Sequence, residues 1–120
     1  MFTPLCEAVD SLTDAQRVAI FGRTYGEYNS RCQFSYPDRH ANWINIQHRY
    51  TLEIRMPRFT TADIYMRFLK CFKKIFKALN THYISKEHTE RNAIKAGRKM
   101  RMVFEKEYKE YFQPDRKSVV

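Results

Sequence analysis

Between Thr60 and Leu79 the apolar residues Ile64, Phe68, Phe72, Ile75, Phe76 and Leu79 recur at helical spacing, and Arg67, Lys70, Lys73, Lys74 and Lys77 fall largely on the other side. A helix of this kind must bury one face and leave a cationic one in water, with almost no carboxylates to balance it. Thr60 or Thr61 is its N-cap. The design repeats in a second helix expected from about Lys86 to Phe112 and ended by Pro114. Ala93, Ala96, Met100, Val103, Phe104 and Tyr111 form its apolar stripe, opposed by Arg91, Lys95, Arg98, Lys106 and Lys109. Such a helix would reach roughly 40 Å, so its C-terminal half is expected to project or to meet a partner. Glu105 with Lys109 and Lys106 with Glu110 stand at i, i+4 and partly neutralise that end. Asn80 to Ser85 reads as the connector between the two helices.

Ahead of these helices, Trp43 to Gln47 and Tyr50 to Met56 read as strands. In the second, Tyr50, Leu52, Ile54 and Met56 alternate with Thr51, Glu53 and Arg55, the period of two of a half-buried strand. The link His48-Arg49 predicts an antiparallel hairpin, and Pro57 stops the ladder. Thr13-Asp14-Ala15-Gln16 has the spacing of a capping box, opening a short helix that buries Val18, Ala19, Ile20 and Phe21 and stops at Gly22. Arg23 to Asn42 is a polar, aromatic loop with a turn at Tyr36-Pro37-Asp38-Arg39. The fold expected is α+β: a small antiparallel sheet (hairpin 43–47/50–56) packed by two long amphipathic helices and a short N-terminal helix. At 120 residues the chain has the size of a single domain spanning 1–120.

With 22 Lys and Arg against 13 Asp and Glu, the formal charge is +9, concentrated in the second half. That excess attracts polyanions, nucleic acid above all. Cys6, Cys32 and Cys71 cannot all pair within the chain, and with His40 and His48 they match no compact zinc spacing, so neither a disulfide framework nor a metal site is expected. There is no basic segment followed by an apolar run at the start and no apolar run long enough for a span, so a cytoplasmic protein with no membrane partner is expected. Tyr25, Tyr28, Phe34, Tyr36 and Trp43 lie among Arg23, Arg31, Arg39 and Arg49, the mixture of rings and guanidinium groups by which single strands are bound.

The stretch from Phe21 to Leu79 also resembles the C-terminal part of the amidoligase domains of plasmids and phages, distant relatives of glutamine synthetase and glutamate-cysteine ligase. The resemblance is carried by Gly22-Arg23 with Tyr28-Asn29, by Arg39 and Asn45-Ile46, by Tyr50-Thr51-Leu52-Glu53-Ile54-Arg55, and by a helix opened at Thr60-Thr61. It implies ATP-dependent ligation of a carboxylate to an amine, with Arg55 on a phosphate and Glu53 beside it. The strands in which such ligases hold their metal-binding carboxylates have no counterpart here, and before Glu53 there is no paired Glu-x-Glu. The expectation is therefore a non-enzymatic reuse of that fold without cofactor. A mobile-element setting implies an inhibitor of a host nucleic-acid-targeting system, such as an anti-CRISPR protein.

The function expected is nucleic-acid binding, RNA before DNA, or binding to a ribonucleoprotein, by a monomer or homodimer. The contacts expected are Arg23, Arg31, Arg39, Arg49, Arg55, Arg67, Lys70, Lys74, Lys77, Arg91, Lys95, Arg98 and Lys106, acting chiefly on phosphates. The alternatives are a module docking on an acidic protein and a residual amidoligase.

Overall fold

The structure is a computed structural model that describes residues 1–33, 42–45 and 52–112. It is mostly helical with one two-stranded antiparallel sheet, the α+β class expected. The order is α1 (Thr3–Asp10), α2 (Asp14–Phe21), β1 (Ile44–Asn45), β2 (Glu53–Ile54), α3 (Ala62–Leu79), a π-helical turn (Asn80–Ile84), α4 (Glu90–Glu107) and α5 (Lys109–Phe112). The chain divides into two compact units, Met1–Ala8 with Leu69–Val120, and Val9–Phe68. Among the described residues no helix is long and apolar enough to cross a membrane.

In the unit Val9–Phe68, α2 opens as its sequence dictates. The Gln16 amide donates to Thr13 Oγ1 at 3.1 Å and the Thr13 amide to Gln16 Oε1 at 2.9 Å. Gly22 closes the helix in the left-handed region, φ 85°, its amide donating to Val18. The buried face differs from the expected one: Ile20 and Phe21 are inside, but Val18 and Ala19 are exposed and Arg17 is buried instead. Its guanidinium donates to the carbonyls of Val9 and Leu12 at 2.9 and 2.6 Å, to Thr24 Oγ1 and to Asp14, and stands over the Tyr25 ring. A buried cation is tolerated when its donors are used up in this way.

Asp14 is the exposed end of that network. Side-chain hydrogen bonds from Arg17, then Thr24, hold its carboxyl below the ordinary 3.8. A depressed folded-state value contributes stability that is present above the unfolded value and lost as pH falls through the folded one. Melting temperature should therefore drop more steeply for the wild type than for Asp14→Asn as pH is lowered below about 4. Parallel curves for the two proteins would show that the carboxylate is not coupled to folding.

The sheet is shorter than expected. Ile44 pairs with Ile54 and Asn45 with Glu53, whereas a two-residue link at His48-Arg49 would set Ile44 opposite Glu53. The ladder is offset by one residue, and residues 46–51 lie outside those described. Ser30 and Asn42 form a parallel bridge, so the loop after α2 runs back beside β1, where the Trp43 amide donates to Ser30. Trp43, Ile44, Met56, Phe21 and Phe68 are buried, with Phe21 against both Trp43 and Phe68.

In the unit Met1–Ala8 with Leu69–Val120, the chain starts with a helix where the sequence pattern predicts none. Phe2, Leu5, Cys6 and Ala8 are buried at helical spacing, and Pro4 sits in the first turn, where its missing amide costs nothing. Helix α3 follows Thr61, whose Oγ1 accepts from the Ile64 amide. Along it Cys71, Phe72, Ile75 and Leu79 are buried, as the apolar stripe required, although Phe76 is exposed. The expected connector is helical: α3 runs straight into the π-helical turn, with the Ser85 amide donating to Asn80 across the wider ring at 2.9 Å. Thr89 then caps α4, accepting from Asn92.

The expected single helix to Phe112 breaks at Tyr108, φ −106° and ψ 37°. Tyr108 is buried and Phe104 packs on Phe72, Tyr108 and Phe112, so the last turn folds into the apolar cluster and does not project. Gly97 is buried in α4 because a Cβ there would come within 2.4 Å of the Met1 carbonyl oxygen.

Candidate nucleic-acid interface

The expected contact residues separate into two groups. Among the described arginines of the unit Val9–Phe68, Arg23, Arg31 and Arg55 bind other parts of that unit. Arg23 donates to the carbonyls of Met56, at 2.7 Å, and Arg55. Arg31 pairs with Asp10 at 3.2 Å and borders the Tyr25 ring, whose hydroxyl donates to the same carboxylate. Burial first, and then that hydrogen bond, push the Tyr25 phenol well above its ordinary 10. Arg55, which the amidoligase resemblance sets on a phosphate, pairs with Glu53 beside it at 3.4 Å. Arg67 is half-buried. Arg39 and Arg49 lie outside the described residues.

The cations of α3 and α4 are arranged differently. Lys70, Lys73, Lys74 and Lys77 are exposed on the side of α3 opposite Cys71, Phe72 and Ile75. On α4, Arg91, Lys95, Arg98 and Lys106 are exposed opposite Ala96, Met100 and Phe104. Among the described residues none of these eight forms an ion pair, whereas Arg101 of α4 meets Glu7 at 3.5 Å and Glu105 at 2.5 Å.

Two depressions follow the outer side of α4. One, about 790 Å³, is lined by Glu90, Arg91, Ile94, Lys95, Arg98, Lys99 and Met102. The other, about 470 Å³, lies between α4 and the π-helical turn and is lined by Lys99, Met102, Val103, Glu105 and Lys106 with Ala78 and His82. They share Lys99 and Met102 and so make one trough. From Arg91 to Lys106 it extends roughly 22 Å along the helix. Ile94 and Met102 stand in it 47% and 60% exposed, apolar groups among cations. The His82 imidazole is held below its ordinary 6.5 by partial burial, then by the charges of Lys95, Lys99 and Lys86.

His82, Lys99, Ile94 and Met102 line the trough, and Lys86 stands near His82, none of them among the contacts expected from the sequence. The cation spacing on α4 points to Lys99, but His82 reads as part of a connector, and nothing in its neighbours shows that the turn lies against α4. Among the described residues no three of His, Cys, Asp and Glu are grouped to hold a metal ion. Comparison with protein-family models, with curated proteins and with solved structures gave no match.

Proposed function

We propose that this chain is a non-catalytic nucleic-acid-binding protein, favouring RNA, which holds phosphates along the outer side of α4 while the lysines of α3 add to the attracting field. The observation that carries this reading is the α4 trough: exposed Arg91, Lys95, Arg98 and Lys106, without ion pairs among the described residues, around the exposed side chains of Ile94 and Met102. A face that served solubility alone would gain nothing from apolar groups held among its charges, whereas a single strand uses both cations and surfaces for its bases. The trough's length suits the short sites that single-strand binders present.

The test is a fluorescence-anisotropy titration with structured RNA, single-stranded RNA and duplex DNA at low and physiological salt. The triple variant Arg91→Gln/Lys95→Gln/Arg98→Gln should bind RNA about tenfold more weakly, and its salt slope should be shallower by about one for each phosphate that the variant no longer neutralises. A host nucleic-acid-targeting complex is the setting that the mobile-element resemblance implies, so its guide RNA belongs in the panel. Equal affinity for RNA and polyglutamate at physiological salt would overturn the reading in favour of docking on an acidic protein.

A further inference from the structure

We propose that the depression between the π-helical turn and α4 receives one unstacked nucleotide of a bound single strand, its phosphate against His82 and Lys99 and its base on Ala78, Met102 and Val103. This rests on the nucleic-acid reading above and gives that trough a base-holding site.

Three features support it. The depression, about 470 Å³, has the size of small-ligand sites, larger than a phosphate needs. Its floor comes from two elements: Ala78 near the end of α3, and Met102 with Val103 one helical turn beyond Lys99 on α4. A polarisable thioether 60% exposed in such a place is a good surface for an aromatic base and a poor one for water. The charge is also uneven along it. Lys86 and Lys95 stand near the His82–Lys99 end, whereas the other end has Lys106 alone beside a carboxylate, Glu105, that is tied to Arg101. A phosphate is therefore drawn to the His82 end, which leaves the floor to the base.

The π-helical turn explains why His82 is there. Its wider ring, closed by Ser85 donating to Asn80, sets the turn along α4, and such turns recur at functional sites. Facing the imidazole are Lys86 from the segment after the turn and Lys95, Lys99, Glu105 and Lys106 from α4. Their net positive field disfavours imidazolium in the free protein, and a bound phosphate offsets that field. Binding therefore takes up a proton at His82, and affinity should rise as pH is lowered from neutral toward the depressed value of the free imidazole, whereas phosphates held by Lys and Arg elsewhere should not respond.

The experiment uses the full chain with labelled methionine methyls and histidine rings, titrated with adenosine 5′-monophosphate, inorganic phosphate, a short single-stranded RNA and an abasic strand of equal length. The mononucleotide should move the Met102 methyl and the His82 ring together, and phosphate should move His82 alone. At pH 6 the RNA should bind about tenfold more tightly than the abasic strand, a difference that Met102→Glu abolishes without changing the melting temperature. Equal binding of RNA and abasic strand, or a Met102 methyl that does not move, overturns the nucleotide site but leaves the backbone reading standing. Absence of binding by either strand overturns both. Polyglutamate moving the same resonances at the same concentration would assign the depression to an acidic peptide and overturn the proposal.

Discussion

Replacing Arg17 by Met should destabilise the fold by about 3–5 kcal/mol, measured as the shift of a urea unfolding midpoint at constant slope. The size follows from what the guanidinium satisfies. It is buried, and it donates to the carbonyls of Val9 and Leu12 as well as to Thr24 and Asp14. Methionine fills a similar volume but offers no donor, so between α1 and α2 the Leu12 carbonyl loses the guanidinium and the Val9 carbonyl keeps only the Leu12 amide, a buried oxygen without a donor costing about 1–3 kcal/mol. It also removes the cation over the Tyr25 ring. Arg17→Lys should fall between, because one ammonium cannot reach carbonyls, hydroxyl and carboxylate at once. A loss below about 1 kcal/mol for the methionine variant would show that water replaces the guanidinium and that the network is not structural.

Gly22→Ala should cost about 3 kcal/mol or more, for two separable reasons. The backbone is left-handed, φ 85°, which penalises a side chain by about 1–2 kcal/mol. A Cβ would also lie 1.8 Å from the Arg58 carbonyl oxygen, in a segment whose amide donates to Phe21 at 2.8 Å. Asparagine tolerates the dihedral angle but carries the same Cβ. If the collision dominates, Gly22→Asn is as damaging as Gly22→Ala; if the dihedral dominates, asparagine recovers most of the stability. Thermal unfolding of the two variants side by side decides it.

The parts of this fold that can be read in advance are those set within a few residues of one another. The Thr13–Gln16 capping box, the stop at Gly22 and the opposed faces of α3 each depend on local spacing, and each is present. What resists reading depends on groups distant in sequence. Arg17 looks like a solvent-facing residue until the carbonyls that end α1 are placed around it, and α1 itself is obscured because Pro4 and Glu7 interrupt a short apolar pattern. Arg23 belongs by spacing to a cationic loop and Arg55 to the outer side of a strand, yet one holds the chain beyond the sheet and the other meets its strand neighbour. A run of helix-forming residues gives no warning of the break at Tyr108, because burial of that ring and of Phe104 decides it. For the interface, the α4 cations are legible from periodicity. The trough is not, since it requires the turn after α3 to lie against α4.

That turn has a genetic consequence. An α-helix carried through residues 80–84 needs one residue fewer per turn than the π-helical ring that is present. Loss of a single codon there would preserve the reading frame, the composition and nearly all of the charge, yet leave too few residues to close the wider ring that lays the turn along α4. A stretch of sequence that looks like a permissive linker is thus the place where the smallest in-frame event would withdraw His82 from the trough on α4.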